Sequence, residues 1–346
     1  MRIRRRLPLI FAVLAVAAVV ALVVVLRKHA PPEPARLLPG ADGFLYVDLQ
    51  WVRRANVAGE LPAVSHDPEY QQFIEATGFQ FERDLEQVAF AIHYPPTGPR
   101  VKPGAEARFS EVFVGKIQGE KLRAYLGKLA TSVESYRSVD IFNIPREDRV
   151  LRVAILGADT VAASNHVDPQ VIRGIIDRSR KLASPFGGPA LLRQYYKYVP
   201  LASLGWAIFR VDPVTGQAPP GTMGLSLLFA KPAVVMASVR YLGKVHFRAE
   251  AFTGSNEDAQ RVTEQLSTFF SLFHTAEGAV SPQGTDPDVK AFFDGLKVEQ
   301  AGDRAVLSAI VPPGFIKKAV AAPPNEMQPA SPESAAPAAP SEKKAR

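Results

Sequence analysis

The 346-residue chain contains no cysteine. That removes disulfides, a thiol nucleophile and every Cys-ligated metal site, and it excludes lipid attachment through an N-terminal Cys. Histidine is scarce: the six are His29, His66, His93, His166, His246 and His274. No two stand at the i, i+4 spacing of a helical zinc site, so no metal is expected and each reads as a surface or loop histidine. Phosphate-loop and dinucleotide glycine patterns are missing, so no nucleotide cofactor is expected. Gly224-Leu225-Ser226 lacks the closing Gly of a nucleophile elbow, because Leu228 stands there. Pro185-Phe186-Gly187-Gly188-Pro189 has no Lys-Ser/Thr after it and reads as a loop ending a helix. These gaps leave no cofactor, no metal and no assignable catalytic residue.

A basic excess over the body of the chain is also lacking. The formal net charge is +7, but Arg2, Arg4, Arg5, Arg6, Arg27 and Lys28 supply six of those charges. Residues 321–346 are neutral, with three Glu against Lys343, Lys344 and Arg346, which leaves +1 for residues 31–320. A protein that neutralises many phosphates carries a basic patch, so no nucleic-acid partner is expected.

What is present begins with an apolar run. Leu7 to Leu26 is twenty residues without a charge, enough as a helix to cross the roughly 30 Å hydrocarbon core of a bilayer. Pro8 suits the first turn, where its missing N–H costs little. Four arginines precede the run and only Arg27 and Lys28 follow it, so the positive-inside rule predicts a cytoplasmic stub (1–6), an anchor (7–26) and an extracytoplasmic remainder. The rival is a cleaved signal peptide, whose apolar stretch is shorter, about 7–15 residues. The Lys28-His29-Ala30 site it would need is poor, with Pro31 directly after it.

Residues 27–41, Pro-rich from Ala30, predict an extended spacer holding the domain off the membrane. Strands are then expected at Phe44–Leu49, Val88–Tyr94, Val112–Ile117, Val139–Ile144, Leu151–Leu156 and Thr160–Ala163. Further strands are expected at Leu204–Val211, Met223–Ala230, Ala233–Val239 and Val245–Ala251, with a hairpin turning at Gly302-Asp303. In the strand from Val245, Lys244, His246, Arg248 and Glu250 alternate with apolar residues, which predicts one wet face. Asp67-Pro68, Asp168-Pro169 and Asp286-Pro287 each precede a helical pattern, Asp as cap and Pro at the first helical position. Helices are also expected near Trp51, over Gly119–Val133, from Ser255 (with Asp258 in the capping-box position) and over Gly314–Val320. The fold class is therefore α+β: two loosely similar halves of antiparallel sheet, 42–198 and 199–320, with amphipathic helices on one face. Residues 321–346, rich in Pro and Ala, read as disordered.

Acid pairs such as Glu82 and Asp84, Glu147 and Asp148, or Asp286 and Asp288 have the chemistry for acid–base work. Spacing alone does not show that they converge in one pocket, and paired acids are common on surfaces. The strongest cluster outside the apolar stripes is basic and aromatic: Arg173, Arg178, Arg180, Lys181, Arg193, Tyr195, Tyr196 and Lys197. Such a set suits an anionic polymer or headgroup. It suits a solvated helix face followed by a packed connector better still.

Val112-Phe113-Val114-Gly115-Lys116-Ile117, then Lys121-Leu122, Tyr136, Ile141-Phe142, Val153-Ala154-Ile155-Leu156 and Val161-Ala162-Ala163-Ser164, resemble the layout of uncharacterised bacterial envelope proteins with an N-terminal anchor and an α+β ectodomain. The resemblance implies a location in the inner membrane, with the domain periplasmic or extracellular, and carries no catalytic residues. The expected role is non-catalytic binding or scaffolding at the envelope, with another envelope protein or an anionic polymer as partner. The alternative is an anchored hydrolase working through acids such as Glu82 or Asp84.

Overall fold

The computed structural model describes residues 30–55, 67–95, 106–147, 149–180, 188–219, 222, 224–280 and 287–314. Its backbone is a twelve-stranded sheet in which every pairing is antiparallel. In chain order the strands are β1 (Gly43–Asp48), β2 (Leu85–His93), β3 (Arg108–Gly115), β4 (Ser132–Tyr136), β5 (Val139–Arg146) and β6 (Arg149–Ile155). Then come β7 (Thr160–Ser164), β8 (Ser203–Val211), β9 (Ala233–Tyr241), β10 (Val245–Phe252), β11 (Lys297–Ala301) and β12 (Arg304–Val311). Across the sheet they run β11-β12-β10-β9-β8-β1-β2-β3-β7-β6-β5-β4.

Nine α-helices decorate the sheet among the described residues: α1 (Glu33–Leu37), α2 (Leu49–Ala55), α3 (Pro68–Thr77), α4 (Phe81–Asp84) and α5 (Gly119–Leu129). The others are α6 (Gln170–Arg180), α7 (Ala190–Tyr195), α8 (Asn256–Val280) and α9 (Pro287–Asp294). The topology has an internal echo. β1-β2-β3 are followed by α5, after which the chain returns to lay β7 beside β3. β8-β9-β10 are followed by α8, after which β12 lies beside β10. β1 and β8 meet at the join, with Tyr46 opposite Trp206.

The protein is α+β, as the patterning predicts, but its helices cover both faces of the sheet, not one. On one face α1, α6 and α7 pack over Phe44, Tyr46, Ala89, Ala91, Trp206, Ile208 and Met236. On the other, α3 and α5 pack over Phe113, Phe142, Val153 and Val161, and α8 packs over Val235, Ala251 and Ala305. The cause is in the strands. Val153-Ala154 and Val161-Ala162-Ala163 are continuous apolar runs whose adjacent residues point to opposite faces, so each face needs a cover.

The spacer expectation for residues 27–41 also fails from Glu33 onward. Pro34 fits the first turn of α1, and Ala35, Leu37 and Leu38 are buried in the main core. The face of β10 predicted to be wet is wet only in part: Lys244 is exposed and His246 and Arg248 are half-buried, but Glu250 is 3% exposed and accepts hydrogen bonds from Arg248 and Arg304, each at 2.8 Å. The run Met223–Ala230 gives a 3₁₀ turn over Leu225–Leu228 in place of a strand, and β4 takes in Ser132 and Val133, expected as the end of a helix, and runs on to Tyr136. Among the described residues no helix is long and apolar enough to cross a membrane. Leu7–Leu26, the helix expected from Gly314 beyond that residue, and the tail 321–346 lie outside the described residues.

Candidate functional site

α3 starts where the sequence says it should. Asp67 Oδ1 accepts from Tyr70 N at 2.8 Å, and Gly78 closes the helix in the left-handed conformation that favours glycine. The next residues reverse direction, so Phe73, Phe79 and Phe81 are brought together, with Phe73 stacked on Phe81 at 5.6 Å. The Tyr70 hydroxyl fastens this corner: it donates to Glu82 Oε2 at 2.7 Å and accepts from Phe81 N at 2.8 Å. α5 lies alongside, with Tyr125 edge-on to Phe73 at 5.4 Å.

Between α3, α5 and the sheet lies a groove of about 520 Å³. Phe73, Phe81, Leu122, Tyr125 and Leu129 wall it, and Phe113, Ile144, Val153 and Val161 line the sheet side. Phe81 and Leu129 remain 41% and 39% exposed at this groove. Few charged groups line it, chiefly Glu111, Arg146, Asp67 and Glu69. Burial alone raises the Glu111 carboxyl from its ordinary 4.5 to about 7.

The basic–aromatic cluster is distributed over several elements. Arg173 Nη2 meets Glu134 Oε2 at 3.2 Å, and its guanidinium lies over the Tyr136 ring at 5.4 Å. Arg178 Nε donates to the Leu37 carbonyl at 2.6 Å, tying α6 to α1. Arg180 Nη2 donates to the carbonyl of Arg137 at 3.4 Å. That carbonyl belongs to the β4–β5 turn, where Arg137 and Ser138 both have positive φ, and Asp177 also holds Arg137 at 2.8 Å. Arg193 is exposed on α7, and Lys197 Nζ stands 5.0 Å from the Tyr198 ring centre. Tyr195 packs on Phe252, and Tyr196 sits edge-on to Trp206. Lys181 lies outside the described residues.

The acids are also in use. Asp84 accepts from Gln80 N at 2.9 Å and pairs with Arg83 at 2.6 Å, and the Arg83 hydrogen bond holds its carboxyl below the usual range. Glu82 receives the Tyr70 phenol. Asp148 and Asp286 lie outside the described residues.

Two histidines that the sequence leaves 73 positions apart come together, His93 and His166, with ring centres 4.8 Å apart. His93 Nε2 is 3.1 Å from Ser110 Oγ, which is 2.9 Å from Ser164 Oγ. Burial, then the neighbouring His166, lowers His93 to about 4. Ser110 is fully buried, so this serine–histidine contact offers no route to a substrate. Among the described residues no group of three or more His, Asp or Glu side chains forms a metal site.

No family model and no curated protein matches the sequence. Solved structures offer a distant likeness. Crystal forms III, IV and I of TP0453 superpose with TM-scores of 0.41, 0.43 and 0.40 at 9%, 10% and 8% identity. They cover 83–84% of this chain and 96–97% of theirs. At that identity and that TM-score, no function passes from TP0453 to this chain.

Proposed function

We propose that this chain is a membrane-anchored, extracytoplasmic binding protein that scaffolds another envelope protein and carries no catalysis of its own. The reading takes Leu7–Leu26 as the anchor, with the N-terminus in the cytoplasm. One observation carries it: the α3–α5 groove gathers aromatic and aliphatic side chains from two helices and the sheet into one concavity, with Phe81 and Leu129 at its surface. Apolar concavities with aromatic walls are where partner side chains anchor. The supporting circumstance is that Glu82 and Asp84 are held in local contacts at the corner that shapes the groove.

The test uses the full-length protein in cells of its own type. A photo-crosslinking amino acid replaces Leu129, and a control replaces Val214, which is 83% exposed on a different loop. A discrete envelope-protein adduct at position 129, absent at 214 and lost in Leu122→Glu, is expected. Equal adducts at both positions, or an adduct indifferent to Leu122→Glu, would sink the groove as the docking site. A reporter fused at Ala321 checks the address, and activity of a cytoplasm-only reporter there would overturn the orientation.

A further inference from the structure

The α3–α5 groove is walled by apolar side chains, but a carboxylate stands on its sheet side. Glu111 is on β3, two residues before Phe113, so both point to the groove face of the sheet. Its neighbours in register are Phe90 on β2 and Ala163 on β7, and the small Ala163 also lines the groove. Among the described residues Glu111 has no hydrogen bond and no ion pair. It is half-buried, and neither of its carboxylate oxygens is sealed from solvent.

The charges around Glu111 leave it without a counter-ion. Asp67 and Glu69 lie at the start of α3, and Arg146 is the one cation in the lining among the described residues. β7 and β6 separate its strand, β5, from β3, which at the usual strand spacing puts about 14 Å between them. That is too far for Arg146 to neutralise Glu111. The other titratable groups of the lining are Tyr70 and Tyr125, and the Tyr70 hydroxyl is committed to Glu82 and to Phe81 N. The rise of the Glu111 carboxyl to about 7 accordingly comes from burial, with no charged neighbour contributing. A body that covers the groove takes Glu111 further out of water. An unpaired carboxylate in apolar surroundings must then take up a proton or meet a positive charge.

We infer that the groove recognises an apolar protein segment that carries one basic side chain, with Glu111 as the counter-charge. This rests on the groove being the docking site, and it names what the partner must bring there. An acidic segment would meet three carboxylates, Asp67, Glu69 and Glu111, against one guanidinium. A wholly apolar segment would bury Glu111 with nothing to pair it. A guanidinium or ammonium group pairs with Glu111 by a charge-assisted hydrogen bond, while its hydrocarbon stem and the apolar residues beside it lie against Phe73, Phe81 and Leu122.

The probes are three rhodamine-labelled peptide amides: Leu-Phe-Arg-Leu-Phe and its analogues with citrulline or Glu in place of Arg. Citrulline keeps the shape of Arg and removes its charge. Each is titrated by anisotropy at pH 8 against the purified full-length protein in detergent, with detergent alone as blank. Expected is binding of the Arg peptide about tenfold tighter than the citrulline peptide, the worth of one charge-assisted hydrogen bond, with the Glu peptide weakest. That preference should vanish in Glu111→Gln and shrink in the parent from pH 8 to 6, as the carboxyl takes up its proton. Equal binding of the Arg and citrulline peptides, binding of none of the three, or a preference that survives Glu111→Gln would overturn the assignment. The comparison of peptides on the parent protein needs no variant, so it decides if Glu111→Gln fails to fold. Crosslinking at position 129 separates the basic anchor from docking itself. An adduct lost in Leu122→Glu but kept at parent intensity in Glu111→Gln would leave the docking site and remove the anchor. Absence of any adduct would remove the docking site, and the peptides would still decide the charge.

Discussion

Two half-buried titratable side chains, 18 positions apart in sequence, pull the stability of the protein in opposite directions with pH. Glu111 rises from 4.5 to about 7 because burial disfavours its charge. Between those values the folded chain holds a proton that the unfolded chain has lost. Its stabilising contribution is thus complete below pH 4.5 and fades as pH climbs through 7. His93 falls from 6.5 to about 4, so the unfolded chain holds the extra proton, and its contribution is complete above pH 6.5 and fades as pH drops toward 4. From pH 4.5 to 6.5 the two slopes oppose each other. Urea denaturation from pH 4 to 8 should therefore show a shallow profile for the parent. Glu111→Gln should uncover a rise from pH 4 to 6.5, and His93→Gln a fall from 4.5 to 7. Each slope is bounded by about 1.4 kcal/mol per pH unit for one proton. Profiles in both variants that keep the parent slope would show that neither group is shifted.

At the scale of the element, α6 shows what local sequence does and does not say. Asp168 Oδ1 accepts from Gln170 N at 2.8 Å, and Ile172, Ile175 and Ile176 are fully buried beneath α1 and beside β6 and β7. Both features stand in the sequence, because a cap is a contact within a few residues and a stripe is a period. Ile175→Ala should cost about 3 kcal/mol, as a fully enclosed large-to-small change does. A thermal or urea shift under about 1 kcal/mol would mean that α6 is not seated on the core. What the period does not show is which long polar side chains are free. Arg173, Arg178 and Arg180 read as a charged face, and their partners Glu134, the Leu37 carbonyl and the Arg137 carbonyl lie 39, 141 and 43 positions away. β4 is silent in the sequence for a related reason: an edge strand with exposed Ser132 and Val133 lacks the buried alternation that marks a strand. The run from Met223 is apolar enough to suggest a strand, but apolar composition does not supply a pairing partner. Leu227 is 83% exposed, and the segment closes on itself through Phe229 N to Ser226 O at 3.2 Å. The groove is not legible in the sequence, since it joins residues from Asp67 to Ala163.

The whole molecule raises a question that its strand order makes sharp: whether the echo between β1-β2-β3 and β8-β9-β10 marks separable units. The join argues that it does not. β1 is hydrogen-bonded to β2 on one side and to β8 on the other, so division at residue 198 would leave both β1 and β8 as sheet edges. The main core ignores that division too. Phe44 and Tyr46 from the first part share it with Trp206, Ile208 and Met236 from the second, under helices α1, α6 and α7 that all precede residue 199. Residues 199–314 alone would expose Trp206, Ile208 and Met236 to water, and residues 30–198 alone would leave a new strand edge beside Leu45, which is already 37% exposed. We expect residues 30–314 to unfold in one cooperative transition seen alike by tryptophan emission and far-ultraviolet circular dichroism. Neither 30–198 nor 199–314 expressed alone should show protected amides in hydrogen exchange. Mixing the two should restore protection in β1 and β8 together. A fragment that folds on its own, with slow exchange in its strands, would make the join a docking contact between two domains and would end the single-core account.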